Sequence, residues 1–217
     1  MGELGRHCSR TQDALGNRLT CSGARQRVEV HWACQREHVP NPSVVRMPVS
    51  VSASLAIYSA LKANSVTLVS ALPETWLVHL IRMAEDDPDM TLVRLAKEEE
   101  GVGISTGAHL AGARSVMLMQ NHGFLQSING IVSCAQLYRI PLVMLISHRG
   151  WFGERDPWQT EGGLVTIPVL DALRIPYETL ESLDNVARHI TKAFTLANAA
   201  NRPVAVLLGR DLMWEEA

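Results

Sequence analysis

Regular alternation of apolar and polar positions begins at about Val49. Over residues 51–62, Leu55, Ala56, Tyr58 and Leu61 are spaced to share one helical face. Residues 65–71 are rich in β-branched side chains and predict a strand. Pro73 is tolerated in a first helical turn, so a helix is expected over 74–84, ended by the acidic, proline-containing run 86–89. A strand at 90–95 and a helix at 98–112 follow. Residues 115–119 are apolar after the first, which suits the centre of a parallel sheet, where both faces are buried. A helix at 124–138 and an apolar strand at 141–147 come next. Residues 148–161 form a long loop holding Arg149, Trp151, Arg155 and Trp158, a length that points to function or to a lid. A helix at 165–173, a short strand near Tyr177, a helix at 183–201 and a strand at 204–208 complete the pattern. The alternation predicts an α/β fold, a mainly parallel sheet with helices on both faces. Ligands bind such sheets beyond the carboxyl ends of the strands. Chemistry is therefore sought at 72–75, 97–100, 120–123 and 147–150.

Composition changes this picture mainly at the amino terminus. The chain of 217 residues is 47% hydrophobic and 19% charged, which excludes general disorder. A net charge of -2 gives no electrostatic reason for a nucleic acid or an anionic membrane as partner. No apolar run approaches the ~20 residues of a membrane span, and no secretory signal is present, so a cytoplasmic protein is expected. Residues 1–46 differ from the rest: seven arginines and no lysine face four acidic residues, leaving +3 there and -5 on the remainder. Cys8, Cys21 and Cys34 lie in this segment without the close pairing a zinc site needs, and nothing supports a disulfide framework. The segment reads as a disordered extension, with Met47 as a plausible start of the folded domain at 47–217. Cys134 falls in a helical, largely apolar stretch and reads as a core residue.

The run from Glu98 to Ala108 carries the most information. Three consecutive glutamates at a helix start complement the positive end of the helix dipole. Gly101, Gly103 and Gly107 need another reason, since each costs about 1 kcal/mol within a helix. Gly103 and Gly107 are four apart and share a face that a second backbone or a flat ligand could approach. Tight helix packing is the alternative.

The spacing Glu98-x(4)-Gly103-Ile104-x-x-Gly107 resembles the start of the pyrimidine-binding (PYR) domain of thiamine diphosphate enzymes. Met119-Gln120-Asn121-His122-Gly123 with Ser127-Ile128-Asn129, and Ile146-Ser147-His148-Arg149-Gly150, resemble motifs of the sulfopyruvate and phosphonopyruvate decarboxylase branch. Leu72-Pro73 after the first strand also fits. The resemblance spans about residues 51–209. The sequence departs from that branch at His122, where serine is usual, at Leu125-Gln126, where Gly-Asn is usual, and at His148, where tryptophan is usual.

The resemblance implies a PYR fold and thiamine diphosphate as cofactor. In this family the helix-start glutamate holds the pyrimidine N1′, which lets the 4′-imino group remove the thiazolium C2 proton; Glu98 is the matching residue. The protein positions the cofactor, and the cofactor carries the carbon chemistry. A 2-oxo acid is attacked, CO2 leaves, a proton is taken up and an aldehyde departs. The substrates implied are 3-sulfopyruvate, giving sulfoacetaldehyde, or phosphonopyruvate, giving phosphonoacetaldehyde. Pro73, Gln120 and Asn121 join Glu98 as candidate cofactor-binding residues. His122 is a candidate catalytic proton relay, its ordinary pKa being near 6.5. Arg149 is a candidate for binding an anionic substrate tail. Glu74 could line the cleft, but a solvated charge at a helix start is the favoured reading. In this family Gly-Asp-Gly followed at a distance by Asn holds Mg2+; the sequence contains no Gly-Asp dipeptide. The resemblance therefore implies an α subunit whose separate β subunit carries the diphosphate and Mg2+, in an α2β2 or larger assembly. Another thiamine diphosphate decarboxylase or carboligase, and a non-catalytic scaffold subunit, remain as alternatives.

Overall fold

Six strands pair in one sheet in the order β2-β1-β3-β4-β6-β5, every pairing parallel. They are β1 (Leu68–Ala71), β2 (Thr91–Arg94), β3 (Ser115–Gln120), β4 (Leu142–Ser147), β5 (Tyr177–Leu180) and β6 (Pro203–Leu208). The computed structural model describes residues 48–215. The expectations for residues 1–46, for Met47 and for Cys8, Cys21 and Cys34 lie outside the described residues.

The helices sort onto two faces by the period of the strands. Val116, Leu118, Val143, Leu145, Val204 and Val206 point to one face. There they meet α1 (Val51–Ala63), α2 (Val78–Asp86) and α7 (Val186–Ala200). Met117, Met119, Leu142, Met144, Ala205 and Leu207 point to the other. There they meet α3 (Glu98–Leu110), α4 (Asn121–Gln126), a π-helical turn (Ile131–Gln136) and α6 (Pro157–Ala172). Two short helices, α5 (Ile128–Gly130) and α8 (Arg210–Met213), complete the set. Burial on both faces explains why β4 and β6 are apolar throughout. No helix among the described residues is long and apolar enough to cross a membrane.

Three elements differ from the sequence expectation. The second helix starts at Val78, not at Glu74. Residues 73–77 instead form a turn in which Glu74 Oε2 accepts the Leu77 N–H at 3.1 Å. The stretch expected as one helix at 124–138 begins at Asn121 and is broken by Ser127 and the π turn. The Ser127 hydroxyl donates to the Gly123 carbonyl at 2.7 Å, and such back-bonding competes with the regular ladder. α6 begins at Pro157, eight residues before its expected start, which shortens the preceding loop to 148–156. Pro157 takes the first helical turn, where its missing N–H costs nothing. Cys134, expected in the core, is half-buried in the π turn, with its Sγ 3.3 Å from Thr106 Oγ1.

Register aligns the functional rim. Ala71 pairs with Leu118, and Gln120 pairs with Ser147. The ends of β1, β3 and β4 thus bring 72–75, 120–123 and 148–150 to one edge of the sheet. Two glycines test how tightly the packing is set. A methyl on Gly103 meets nothing within 4 Å, whereas one on Gly163 would collide with the backbone of Gly150. Gly103→Ala is expected to stabilise the isolated chain by up to about 1 kcal/mol. Gly163→Ala is expected to destabilise it by about 1–3 kcal/mol or more. Urea unfolding of both variants checks the opposite signs.

Candidate active site

The strand order reverses between β1 and β3. β1 leads into α2 on one face, and β3 leads into α4 on the other. A sheet opens a crevice at such a reversal. A cleft of about 440 Å3 lies there, and its polar lining is Glu74, Thr75, Glu98, Gln120, Arg149 and Gln159. Leu72, Pro73 and Val78 supply its apolar wall.

The three helix-start glutamates divide their work. Glu99 pairs with Lys97 at 3.0 Å and accepts from Asn129 Nδ2 at 3.3 Å. Glu100 accepts the Ala96 N–H at 3.0 Å. Glu98 does neither: its side chain turns into the cleft, the residue is only 8% exposed, and among the described residues no hydrogen bond or ion pair engages its carboxyl. The carboxyl lies directly over Gly123 of α4, where any Cβ would collide with it. Gly123 is thus required by close approach. The carboxyl of Glu98 is thus unengaged and faces the cleft, where it could accept or donate a hydrogen bond to a ligand.

The neighbouring motif residues fall on both sides of the cleft wall. Gln120 lines the cleft, and its side-chain amide stands 3.3 Å from His122 Nδ1. If that amide nitrogen donates, the proton of His122 sits on Nε2. His122 itself does not line the cleft; its ring rests on Gly162 of α6, where a Cβ would strike it. Asn121 is fully buried behind the wall, where its Nδ2 donates to the Arg149 carbonyl at 3.0 Å and so joins the ends of β3 and β4.

Arg149 lines the cleft but is not a free cation. Its Nε donates to Glu154 Oε2 at 2.9 Å, and one Nη donates to Asp156 Oδ2 at 2.9 Å. The guanidinium also lies 5.0 Å from the centre of the buried Trp76 ring. Glu154 accepts the Gly150 N–H at 3.0 Å and the Asp156 N–H at 3.2 Å, so one carboxylate folds the whole loop 148–156. Gly150, at φ +79°, adopts the left-handed turn that brings this loop against the backbone of α6. His148 is buried, donates from Nε2 to the Gly163 carbonyl over 3.2 Å and stacks on Trp151 at 5.5 Å; burial lowers its pKa.

Two cleft residues escaped the sequence reading. Gln159 was hidden because its helix was expected to start later; its Oε1 is buried without a partner. Glu74 was taken for a solvated helix-start charge. It lies ahead of the helix, and its Oε1 is shut off from solvent without a well-formed hydrogen bond, the Ser147 hydroxyl standing near the carboxyl. Burial pushes its pKa up, against the backbone N–H groups of Trp76 and Leu77 and the charge of Arg149. The cue available in the sequence was position: Glu74 directly follows a strand end.

The chain is similar to known proteins over most of its length. Residues 51–155 match the family described as "Thiamine pyrophosphate enzyme, N-terminal TPP binding domain". The chain is 36% identical over 165 residues to the sulfopyruvate decarboxylase subunit alpha of Methanococcus maripaludis, covering 76% of this chain and 98% of that one. It is 27% identical to the phosphonopyruvate decarboxylase of Streptomyces viridochromogenes over 74% of this chain, but only 41% of that longer protein. A solved structure from Mycobacterium smegmatis, described as a thiamin diphosphate-dependent enzyme, superposes with a TM-score of 0.61 over 76% of this chain and 32% of that one, at 17% identity.

The loop clamp makes a pH prediction. Burial alone would raise the Glu154 pKa, but Arg149 and the N–H groups of Gly150 and Asp156 outweigh it and hold the group at about 2. A carboxylate with a lowered folded pKa stabilises the fold above its unfolded value, about 4.3, and that stabilisation is lost as pH falls toward the folded value. Glu154→Gln is expected to flatten stability between about pH 4.5 and pH 2, the interval set by the unfolded and folded values. Thermal unfolding across that range checks it; a variant profile parallel to the wild type contradicts the clamp.

Proposed function

Because this chain belongs to the thiamine pyrophosphate enzyme family, we propose that it is the α-type subunit of a heteromeric 2-oxo acid decarboxylase acting on 3-sulfopyruvate or phosphonopyruvate. The observation that carries this reading is Glu98, a buried, unpartnered carboxyl held over Gly123 at the switch point of the sheet. The near-complete coverage of a sulfopyruvate decarboxylase alpha subunit supports the choice of branch.

The residues fit the pyrimidine half of thiamine diphosphate. Glu98 would hold a proton at the ring nitrogen N1′, and the missing Cβ of Gly123 leaves room for its carboxyl. Pro73 and Gln120 would border the ring from the ends of β1 and β3. When bound, thiamine diphosphate supplies the carbon nucleophile and the electron sink for loss of CO2. Asn121 acts from behind the wall, fixing the Arg149 backbone. His122 touches Gln120 from behind the cleft wall and would hold its side-chain amide in place; as a proton relay it would need direct access to the cleft. Arg149 would meet the anionic tail with its remaining N–H groups, its charge being shared already by Glu154 and Asp156.

The diphosphate and Mg2+ are assigned to a partner subunit, in keeping with the missing Gly-Asp dipeptide. The phosphonopyruvate decarboxylase relative, in which the matched stretch is 41% of the length, supports a second functional half outside this chain. The exposed Gly103 and Gly107 face of α3 is open to a second chain, and the assembly proposed is α2β2 or larger.

Calorimetric titration of thiamine diphosphate with Mg2+ tests the reading. Binding is expected only when this chain is mixed with its partner; tight binding to the chain alone would overturn the two-chain site. Glu98→Gln in the complex is expected to lower decarboxylation of both acids by at least about 10²-fold while assembly stays intact. Unchanged turnover would remove Glu98 from the mechanism.

A further inference from the structure

Glu74 is a second carboxyl in the cleft, and the role given above to Glu98 leaves it unused. Its geometry is specific. One oxygen, Oε2, is tied to the Leu77 N–H at 3.1 Å. The other, Oε1, is shut off from solvent and makes no well-formed hydrogen bond among the described residues, although the Ser147 hydroxyl and the Trp76 N–H stand near the carboxyl. The side chain thus has one anchored end and one end that no well-formed hydrogen bond fixes. It sits at the end of β1, across the switch point from the β3 end that carries Gln120.

The charges around it decide its form. Arg149 faces it from the loop after β4, but Glu154 and Asp156 of the same loop already neutralise that guanidinium. Glu98 lines the same cleft from α3 and adds a second carboxyl. Gln120 from β3 and Gln159 from α6 are neutral. Three carboxyls therefore surround one guanidinium, and Glu98 lines the same cleft. Burial raises the Glu74 pKa against the pull of Arg149. An ionised Glu74 would also repel a 2-oxo acid carboxylate, whereas an O–H at Oε1 would donate to it.

We infer that Glu74 is the proton donor of the cleft: its acid form hydrogen-bonds the substrate and delivers a proton to the carbon that has lost CO2. This rests on the decarboxylase reading. In the step, the bond from that carbon to the carboxylate breaks and leaves its electron pair on the carbon. The Glu74 O–H bond then breaks as the new C–H bond forms. Solvent water returns a proton to the Glu74 carboxylate before the next turnover.

Two measurements on Glu74→Gln test the inference. The first needs no cofactor. A carboxyl whose folded pKa is raised stabilises the fold fully below its unfolded value, and this is lost as pH rises through the folded value. The full-length wild-type chain is expected to lose stability relative to Glu74→Gln as pH rises above about 4.3, the ordinary value for the group. Parallel stability curves would overturn the acid form and the inference with it. The second uses the complete complex with thiamine diphosphate and Mg2+. Glu74→Gln is expected to bind the cofactor normally, to release CO2 in a first turnover, and to form aldehyde about 10²-fold more slowly or worse. Glu74→Asp is expected to recover part of the loss with a shifted pH profile. Aldehyde formation by Glu74→Gln at the wild-type rate would overturn the donor role alone. A wild-type complex inactive on both acids would overturn the decarboxylase reading, and this role with it.

Discussion

One carboxyl laid over one glycine organises this molecule. Glu98 can stand where it does in the cleft only because Gly123 has no side chain to fill the space. That contact joins the start of α3 to the start of α4, two helices that leave the sheet at neighbouring strand ends. The surrounding fold makes it possible. Parallel strands of matched register bring the ends of β1, β3 and β4 to a common rim, and the reversal of strand order parts the connections there. A buried carboxyl costs free energy without a donor, and natural chains rarely carry that cost without a use for it.

The loop after β4 follows a different logic. Arg149 stands at the cleft, yet its main contacts are with Glu154, Asp156 and Trp76. Breaking a buried, hydrogen-bonded ion pair by removing one partner costs far more than such a pair contributes against an apolar replacement. The Arg-Gly pair after the strand therefore shapes the wall as well as facing it: the arginine pins the loop, and the glycine turns it back onto α6. Substitution of Arg149 would disturb both the loop and the charge of the cleft, so loss of activity alone would not separate the two roles.

The open glycine face of α3 contrasts with the tight one. Gly101 packs against Met117, Ser70 and Leu95, while a methyl on Gly103 or Gly107 would meet nothing within 4 Å among the described residues. Two glycines in an exposed helical face cost helix stability without any return inside the monomer. A second chain approaching that face would supply the return, in line with a site completed by a partner.

Much of this was legible in the sequence because its signals are local. Continuous apolar runs gave away the central strands β3, β4 and β6, since a strand buried on both faces is written that way, whereas the edge strands β2 and β5 are half-exposed and wrote a weaker signal. The Glu98 motif, the strand-end motifs and the missing Gly-Asp dipeptide likewise needed no coordinates. The element starts were less legible. Pro73 and Pro157 each fit a first helical turn, but only the second occupies one; at Pro73 the Glu74 carboxyl caps a turn instead. Tertiary structure alone decided what surrounds each charged group. It turned Glu98 inward and Glu99 and Glu100 outward from three identical neighbours, and it neutralised Arg149 with carboxylates five and seven residues away. It also withdrew half of Glu74 from water. Residue type sets what a side chain can do, but desolvation and the nearest opposite charge set which form it takes, and both belong to the packed fold.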